Sequence, residues 1–309
     1  MNPPDPAADG TAGTTRTAGT FVSSDGVTLA YTDSQEAPGA TRRTGATAAS
    51  PGSTASRTAA SRTVVLVAGY AMPAVAWALQ TDALVVAGHR VVEFDRRSHG
   101  ASEDVLHGQR IARHGADLHE LLVHLDLHDV VLVGQSMGAS TVWAAIDLFG
   151  TDRVAGVLTI DQTPKLVNDA EWSHGFYGMT PENSGVFFDD GIPDTGRGAR
   201  VDPANTGVAR LFERLGGPPA VRQANAPETR RLLRDHGLQD WRDVIARLDV
   251  PFTMVAGRDS QLWPCSHAEA AVGDHALGRS VVIDDAGHAT NFDRPDELNG
   301  VLLAFVASL

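Results

Sequence analysis

The chain has 309 residues, of which 42% are apolar and 20% charged, the balance of a globular protein able to bury a full core. Its formal net charge of −13 argues against nucleic acid or an anionic membrane as partner, since both call for a basic face. The single cysteine, Cys265, excludes an intrachain disulfide and a Cys-rich zinc site.

Residues 1–20 are rich in Pro, Ala, Gly and Thr and read as a disordered tail. They have neither the basic nor the apolar region of a secretory signal, so the expected location is cytoplasmic. Residues 21–34 alternate around Asp25-Gly26, a tight-turn dipeptide, and predict a hairpin. Residues 37–62 are low in complexity and read as a flexible surface loop. A regular alternation then begins. Residues 64–69, 90–95, 129–134 and 154–161 are short apolar runs, as in strands buried on both faces, and 74–89, 108–127 and 137–150 read as helices between them. From 163 to 238 the rhythm breaks into an aromatic, Gly- and Pro-rich stretch with two helices near 204–215 and 227–236. It resumes with helices at 241–248, 267–275 and 295–309 and strands at 251–257 and 279–284. The pattern predicts an α/β fold with a mostly parallel sheet and helices on both faces. Because the sheet rhythm continues on both sides, 163–238 is expected to be a lid inserted into one core of 21–162 and 239–309. No apolar run approaches the roughly 20 residues of a membrane-spanning helix.

In parallel α/β sheets chemistry gathers at the carboxyl ends of the strands. Three reactive residues stand there: Ser136 after VVLVG, Asp259 after FTMVAGR and His288 after VVIDDAG. A serine hydroxyl needs a neighbouring base to act as a nucleophile, and histidine is the side chain that exchanges a proton near neutral pH. A buried carboxylate fixes the imidazole tautomer and stabilises the imidazolium. The chain order Ser, acid, His is that of the α/β-hydrolase triad. The pentapeptide Gly134-Gln135-Ser136-Met137-Gly138 is weak alone in a chain with 31 glycines; its strand-to-helix context strengthens it. Asp161 also follows a strand and is the alternative acid.

On these residues the chain resembles the α/β-hydrolase family over roughly 21–309. Besides GQSMG, the resemblance rests on LVAGYAMPAVAW (66–77), DRRSHGAS (95–102), AGRDSQLWP (256–264) and DDAGHATNFDRPDEL (284–298). Within the family it is most similar to the bacterial esterase and non-haem chloroperoxidase group. The resemblance implies an oxyanion hole formed by the backbone N–H groups of Tyr70 and Met137. It favours Asp259 as the acid through its R-D-x-x-x-x-P turn, leaving Asp161 at the pocket edge or capping a helix. It implies no metal or cofactor. Ala68 stands where the family usually has His, and Ser98 where it has Gly; neither change removes a backbone donor.

Other readings are weaker. His114, His119, His124 and His128 are spaced mostly by five, which scatters them around a helix, so a solvated face is expected rather than a metal site. His99 reads as structural, and Cys265 has no histidine of its own to activate it. Trp172, Phe176, Tyr177, Phe187 and Phe188 in the lid are expected to line a pocket or to pack the lid onto the body. The resulting expectation is a hydrolase of a small carboxylic ester or lactone. Haloperoxidase-type perhydrolysis or C–C bond hydrolysis on the same triad, and a non-catalytic ligand-binding protein, are the alternatives. The oligomeric state is not legible.

Overall fold

The structure, a computed structural model, describes residues 16–34, 61–202, 204–220 and 226–309. The expected loop at 37–62 lies outside them save for its last two residues, as does the expected tail up to residue 15.

Eight strands form one sheet: Thr17–Val22 (β1), Thr28–Asp33 (β2), Thr63–Val67 (β3), Arg90–Phe94 (β4), Val130–Gln135 (β5), Val154–Ile160 (β6), Phe252–Gly257 (β7) and Gly278–Ile283 (β8). Their order is β1-β2-β4-β3-β5-β6-β7-β8. The hairpin β1–β2 joins β4 antiparallel, and every later pairing is parallel. The centre of the sheet has helices on both faces, so β5 and β7 are buried along their whole length, which is why they read as unbroken apolar runs.

The expected tail is shorter than 1–20. Residues 17–20 belong to β1 and pair with β2 from Thr17 opposite Asp33 to Val22 opposite Thr28. Backbone pairing does not require the bulky side chains whose absence made this stretch look disordered. Gly19 lies under the Tyr31 ring, where a Cβ would sit 2.4 Å from Cζ.

The helices sort by face. Ile111–His124 (α2) and Met137–Phe149 (α3) cover one side, burying Leu118, Leu121 and Trp143 against Val65, Val67 and Leu132. Ala78–Val86 (α1) and the last helix cover the other, where Trp77, Leu84, Leu298 and Leu302 meet Val64, Leu66 and Val133. The helix expected at 74–89 is divided into a single turn of 3-10 helix, Ala74–Trp77, and α1.

The chain leaves the sheet after β6 and returns through one neck. Lys165 and Asp240 form an isolated antiparallel bridge, and the Trp241 N–H donates to the Pro164 carbonyl at 2.9 Å. Between them run turns and two helices, Thr206–Leu215 (α4) and Pro227–Gly237 (α5). Arg242–Ala246 (α6) and His267–Val272 (α7) flank β7. A short helix that the sequence pattern misses, Thr290–Asp293 (α8), precedes Pro295–Ser308 (α9). Among the described residues no helix is long and apolar enough to cross a membrane.

Candidate active site

Ser136 is the single residue between β5 and α3. Turning from strand to helix in one step puts it at φ 52°, ψ −131°, a conformation that is costly for a residue with a side chain. Its neighbours hold it there. Its N–H donates to the Ile160 carbonyl at 2.9 Å. A Cβ on Gly134 would sit 2.6 Å from Ala139 Cα, and one on Gly138 would sit 2.1 Å from the Val67 carbonyl oxygen. Both glycines are therefore required by close backbone approach.

The Ser136 Oγ lies 3.0 Å from His288 Nε2, and His288 Nδ1 lies 2.7 Å from Asp161 Oδ2. An ionised carboxylate only accepts hydrogen bonds, so Nδ1 carries the proton and Nε2 offers its lone pair to the serine hydroxyl. The histidine is held at its backbone as well. Its N–H donates to Gln261 Oε1 at 2.9 Å, and its carbonyl accepts from Gln135 Nε2 at 3.1 Å.

The carboxylate on His288 is thus Asp161, not Asp259 as the turn pattern favoured. Asp161 is the first residue past β6, fully buried, at φ 42°. It also accepts from the Gly257 N–H at 3.0 Å and from Ser260 Oγ at 2.6 Å. Asp259 has an exposed side chain, and its backbone N–H donates to the Ala286 carbonyl. The physical reason is position in the sheet. Strand β6 lies directly beside β5, so a residue leaving its end is next to Ser136. Strand β7 is one place further out, and its turn contributes the Ser260 hydroxyl, which steadies Asp161, in place of an acid.

Tyr70 and Met137 both border the cavity space at Ser136. Met137 is the first residue of α3, where a helix leaves its N–H groups without intrahelical partners. The Tyr70 N–H belongs to the same peptide unit as the Gly69 carbonyl. That carbonyl accepts from Arg96 Nη2 at 2.7 Å. Arg96 is buried, and its other donors reach His114 Nδ1 at 3.2 Å and His99 Nε2 at 3.1 Å. A guanidinium has no acceptor, so both rings turn an unprotonated nitrogen to it and are neutral. Burial, aided by the Arg96 charge, holds His114 well below the usual histidine range.

Sequence reasoning missed Arg96, although an arginine directly past a buried strand is a signal of a buried cation. The solvated helix face expected for the α2 histidines also fails in part. His114 is fully buried, His119 stacks on Phe149 at 3.9 Å, and His124 is exposed but stacks on Phe21.

A family model described as "Alpha/beta hydrolase family" matches residues 64–301. The chain belongs to this family. A putative non-heme chloroperoxidase of Synechocystis is 28% identical, over 80% of this chain and 92% of its own length. Among solved structures, a bromoperoxidase from Bacillus anthracis aligns with a TM-score of 0.72 at 22% identity, covering 93% of this chain and 99% of that one. An esterase from Exiguobacterium antarcticum aligns with a TM-score of 0.68 at 18% identity, covering 93% and 98%. At these identities the two structures establish the shared fold.

The space at Ser136 has two lobes. The larger, about 200 Å³, is bordered by Ser136, His288, Met72, Phe292, Arg200 and Val201. The smaller, about 20 Å³, is walled by Met137, Phe176, Phe188, Leu233, His236 and Trp263. Phe176, Phe187 and Phe188 meet edge to face with centroids 5.1–5.5 Å apart, and Trp263 meets Phe176 at 5.9 Å. Of the aromatics on the inserted segment, Phe176 and Phe188 therefore both pack and line, Phe187 packs against them, and Trp172 and Tyr177 stand away from both lobes. His236 is buried in the small lobe, its Nδ1 without a hydrogen-bond partner among the described residues. Burial, with the fields of Arg96 and His288, pushes it down to about 3, so it is neutral at pH 7.

Proposed function

We propose that the protein hydrolyses small carboxylic esters or lactones through an acyl-enzyme on Ser136. The observation that carries this reading is the unbroken line of hydrogen bonds from Asp161 through His288 to Ser136 Oγ. Ser136 Oγ attacks the carbonyl carbon while its proton passes to His288 Nε2. Asp161, acceptor of three hydrogen bonds and buried, stabilises the imidazolium without taking its proton. The Tyr70 and Met137 N–H groups receive the oxyanion, each such donor contributing about 3–4 kcal/mol to the transition state. His288 then protonates the leaving alkoxide. It next takes a proton from water, whose oxygen attacks the acyl carbon and releases the acid and Ser136.

The lobes suggest an orientation. The leaving oxygen must come within reach of His288, and the larger lobe is the one that His288 borders. The alcohol portion is assigned to it. The acyl portion falls to the small lobe, whose space suits a one- or two-carbon group.

A fluorophosphonate probe should label the folded protein at Ser136 and leave Ser136→Ala unlabelled. Labelling that persists in Ser136→Ala, or p-nitrophenyl acetate hydrolysis that survives the substitution, would end the reading. A ligand-binding protein without catalysis would give neither signal in the wild type. A second activity is supported by the names of the chloroperoxidase relatives. Hydrogen peroxide in place of water at the acyl-enzyme would give a peracid and free Ser136. Peracid formation from acetate and peroxide, lost with Ser136→Ala, tests it.

A further inference from the structure

Arg200 is half-buried on the inserted segment and borders both the larger lobe at Ser136 and the wide groove outside it. The groove, about 770 Å³, shares Ile192, Arg200 and Val201 with the lobe, so the arginine stands where the two meet. Among the described residues it makes no ion pair and no hydrogen bond. That is unusual in a chain with 38 acidic and 25 basic residues. Two arginines of similar exposure have carboxylates: Arg90 pairs with Asp33 at 2.6 Å, and Arg113 with Asp117 at 2.7 Å. The exposed Asp194 on the same segment acts on Arg200 only through its field, and the loss of water around the guanidinium lowers its pKa. A guanidinium that has given up water without gaining an acceptor is a ready partner for an anion, and its planar fork matches a carboxylate.

We propose that Arg200 is the substrate-recognition cation of this site, and that the preferred ester or lactone carries a carboxylate on its alcohol portion, seated against Arg200 while its acyl group faces Met137 and Phe188. This rests on the hydrolytic reading for the word "substrate", but not for the anion site itself. The strongly acidic chain otherwise repels such ligands, so the cation at the mouth also gives the anion one attractive place to dock.

Two pairs of isosteric probes test it. Calorimetry compares binding of meta-hydroxybenzoate and meta-hydroxybenzamide, and kinetics compares their acetyl esters. The wild type should prefer the benzoate over the benzamide by at least about tenfold in both Kd and kcat/KM, the worth of a charged hydrogen bond. Arg200→Gln should bring both ratios to about one, and Arg200→Lys should restore part of the preference, having the charge without the fork. Equal binding of the two probes by the wild type overturns the proposal, as does a benzoate preference that survives Arg200→Gln. If benzoate binding depends on Arg200 while neither ester is cleaved, the anion site stands and the hydrolytic reading falls.

Discussion

The ends of the parallel strands and the segment inserted between β6 and β7 face each other across Ser136, and they are built in opposite ways. At the strand ends each functional atom is fixed by backbone. Ser136 is one residue from β5 and Asp161 one residue from β6, and His288 is held by hydrogen bonds at its own N–H and carbonyl. In the inserted segment the walls are side chains on turns and short helices, packed ring against ring. The difference suggests a division of labour, with reaction chemistry on the rigid side and selectivity on the side where a loop change costs least.

That division can be broken by mutation, and the largest effects belong to the strand ends. Asp161→Asn should lower kcat for p-nitrophenyl acetate by about 10⁴-fold through loss of the imidazole tautomer. Asp259→Asn should stay within about threefold, because its side chain is exposed. A result in the reverse order would return the acid to the β7 turn. Arg96→Met removes the donor behind the Gly69–Tyr70 peptide. It should cost about 10–100-fold in kcat with KM little changed, since in the proposed mechanism the Tyr70 N–H acts on the transition state. A rise in KM alone would assign Arg96 to packing.

On the other side of the cleft the effects should be smaller and should change selectivity. Phe188→Ala opens the small lobe and should raise the butyrate-to-acetate ratio in kcat/KM by about tenfold. An unchanged ratio, with the loss of rate shared by both esters, would mean that Phe188 only packs the inserted segment.

The smallest effect concerns acid stability and compares a histidine of the inserted segment with two in the body. His236 on α5, His114 on α2 and His267 on α7 are each pushed down mainly by burial. In the unfolded chain a histidine titrates near 6.5, so below that pH the unfolded state binds protons that the native state refuses. Their contribution is complete above about pH 6.5 and is lost as the pH falls, by up to about 1.4 kcal/mol per pH unit for each group. For His236 this loss continues down to its native value of about 3. Urea midpoints at pH 7 and pH 5 should therefore differ less in His236→Leu than in the wild type. An identical pH dependence would mean that the inserted segment opens before the body unfolds.

Much of the site was legible because local pattern and sheet topology agree. An unbroken apolar run ending in Gly-x-Ser-x-Gly and passing into a helix leaves few places for Ser136 other than a strand end. His288 was legible for the same reason, after β8. The acid was not, because two aspartates each follow a strand and the pattern around Asp259 was the more recognisable. The distance between strands is a property of sheet order, which the chain order 6-then-7 does not reveal. The sequence showed Ser260 beside Asp259, but only the folded turn aims the serine at Asp161 and the aspartate at solvent. The tail was overextended because low complexity says nothing about backbone pairing, which is what recruits Thr17–Val22 to the sheet edge.

By itself, then, the sequence determined the layered α/β architecture, the break in its rhythm after β6 and the placing of Ser136 and His288 just past strands, because these depend on periodicity and on residues adjacent in the chain. Only the tertiary structure decided which carboxylate meets His288, that Arg96 stands behind the Gly69–Tyr70 peptide, and that Arg200 faces the cavity without an acid. Each of these depends on contacts between residues distant in sequence: 127 positions separate Asp161 from His288, and 27 separate Gly69 from Arg96. No local spacing encodes such contacts; they are set by which strands lie side by side and by what the lid leaves unfilled.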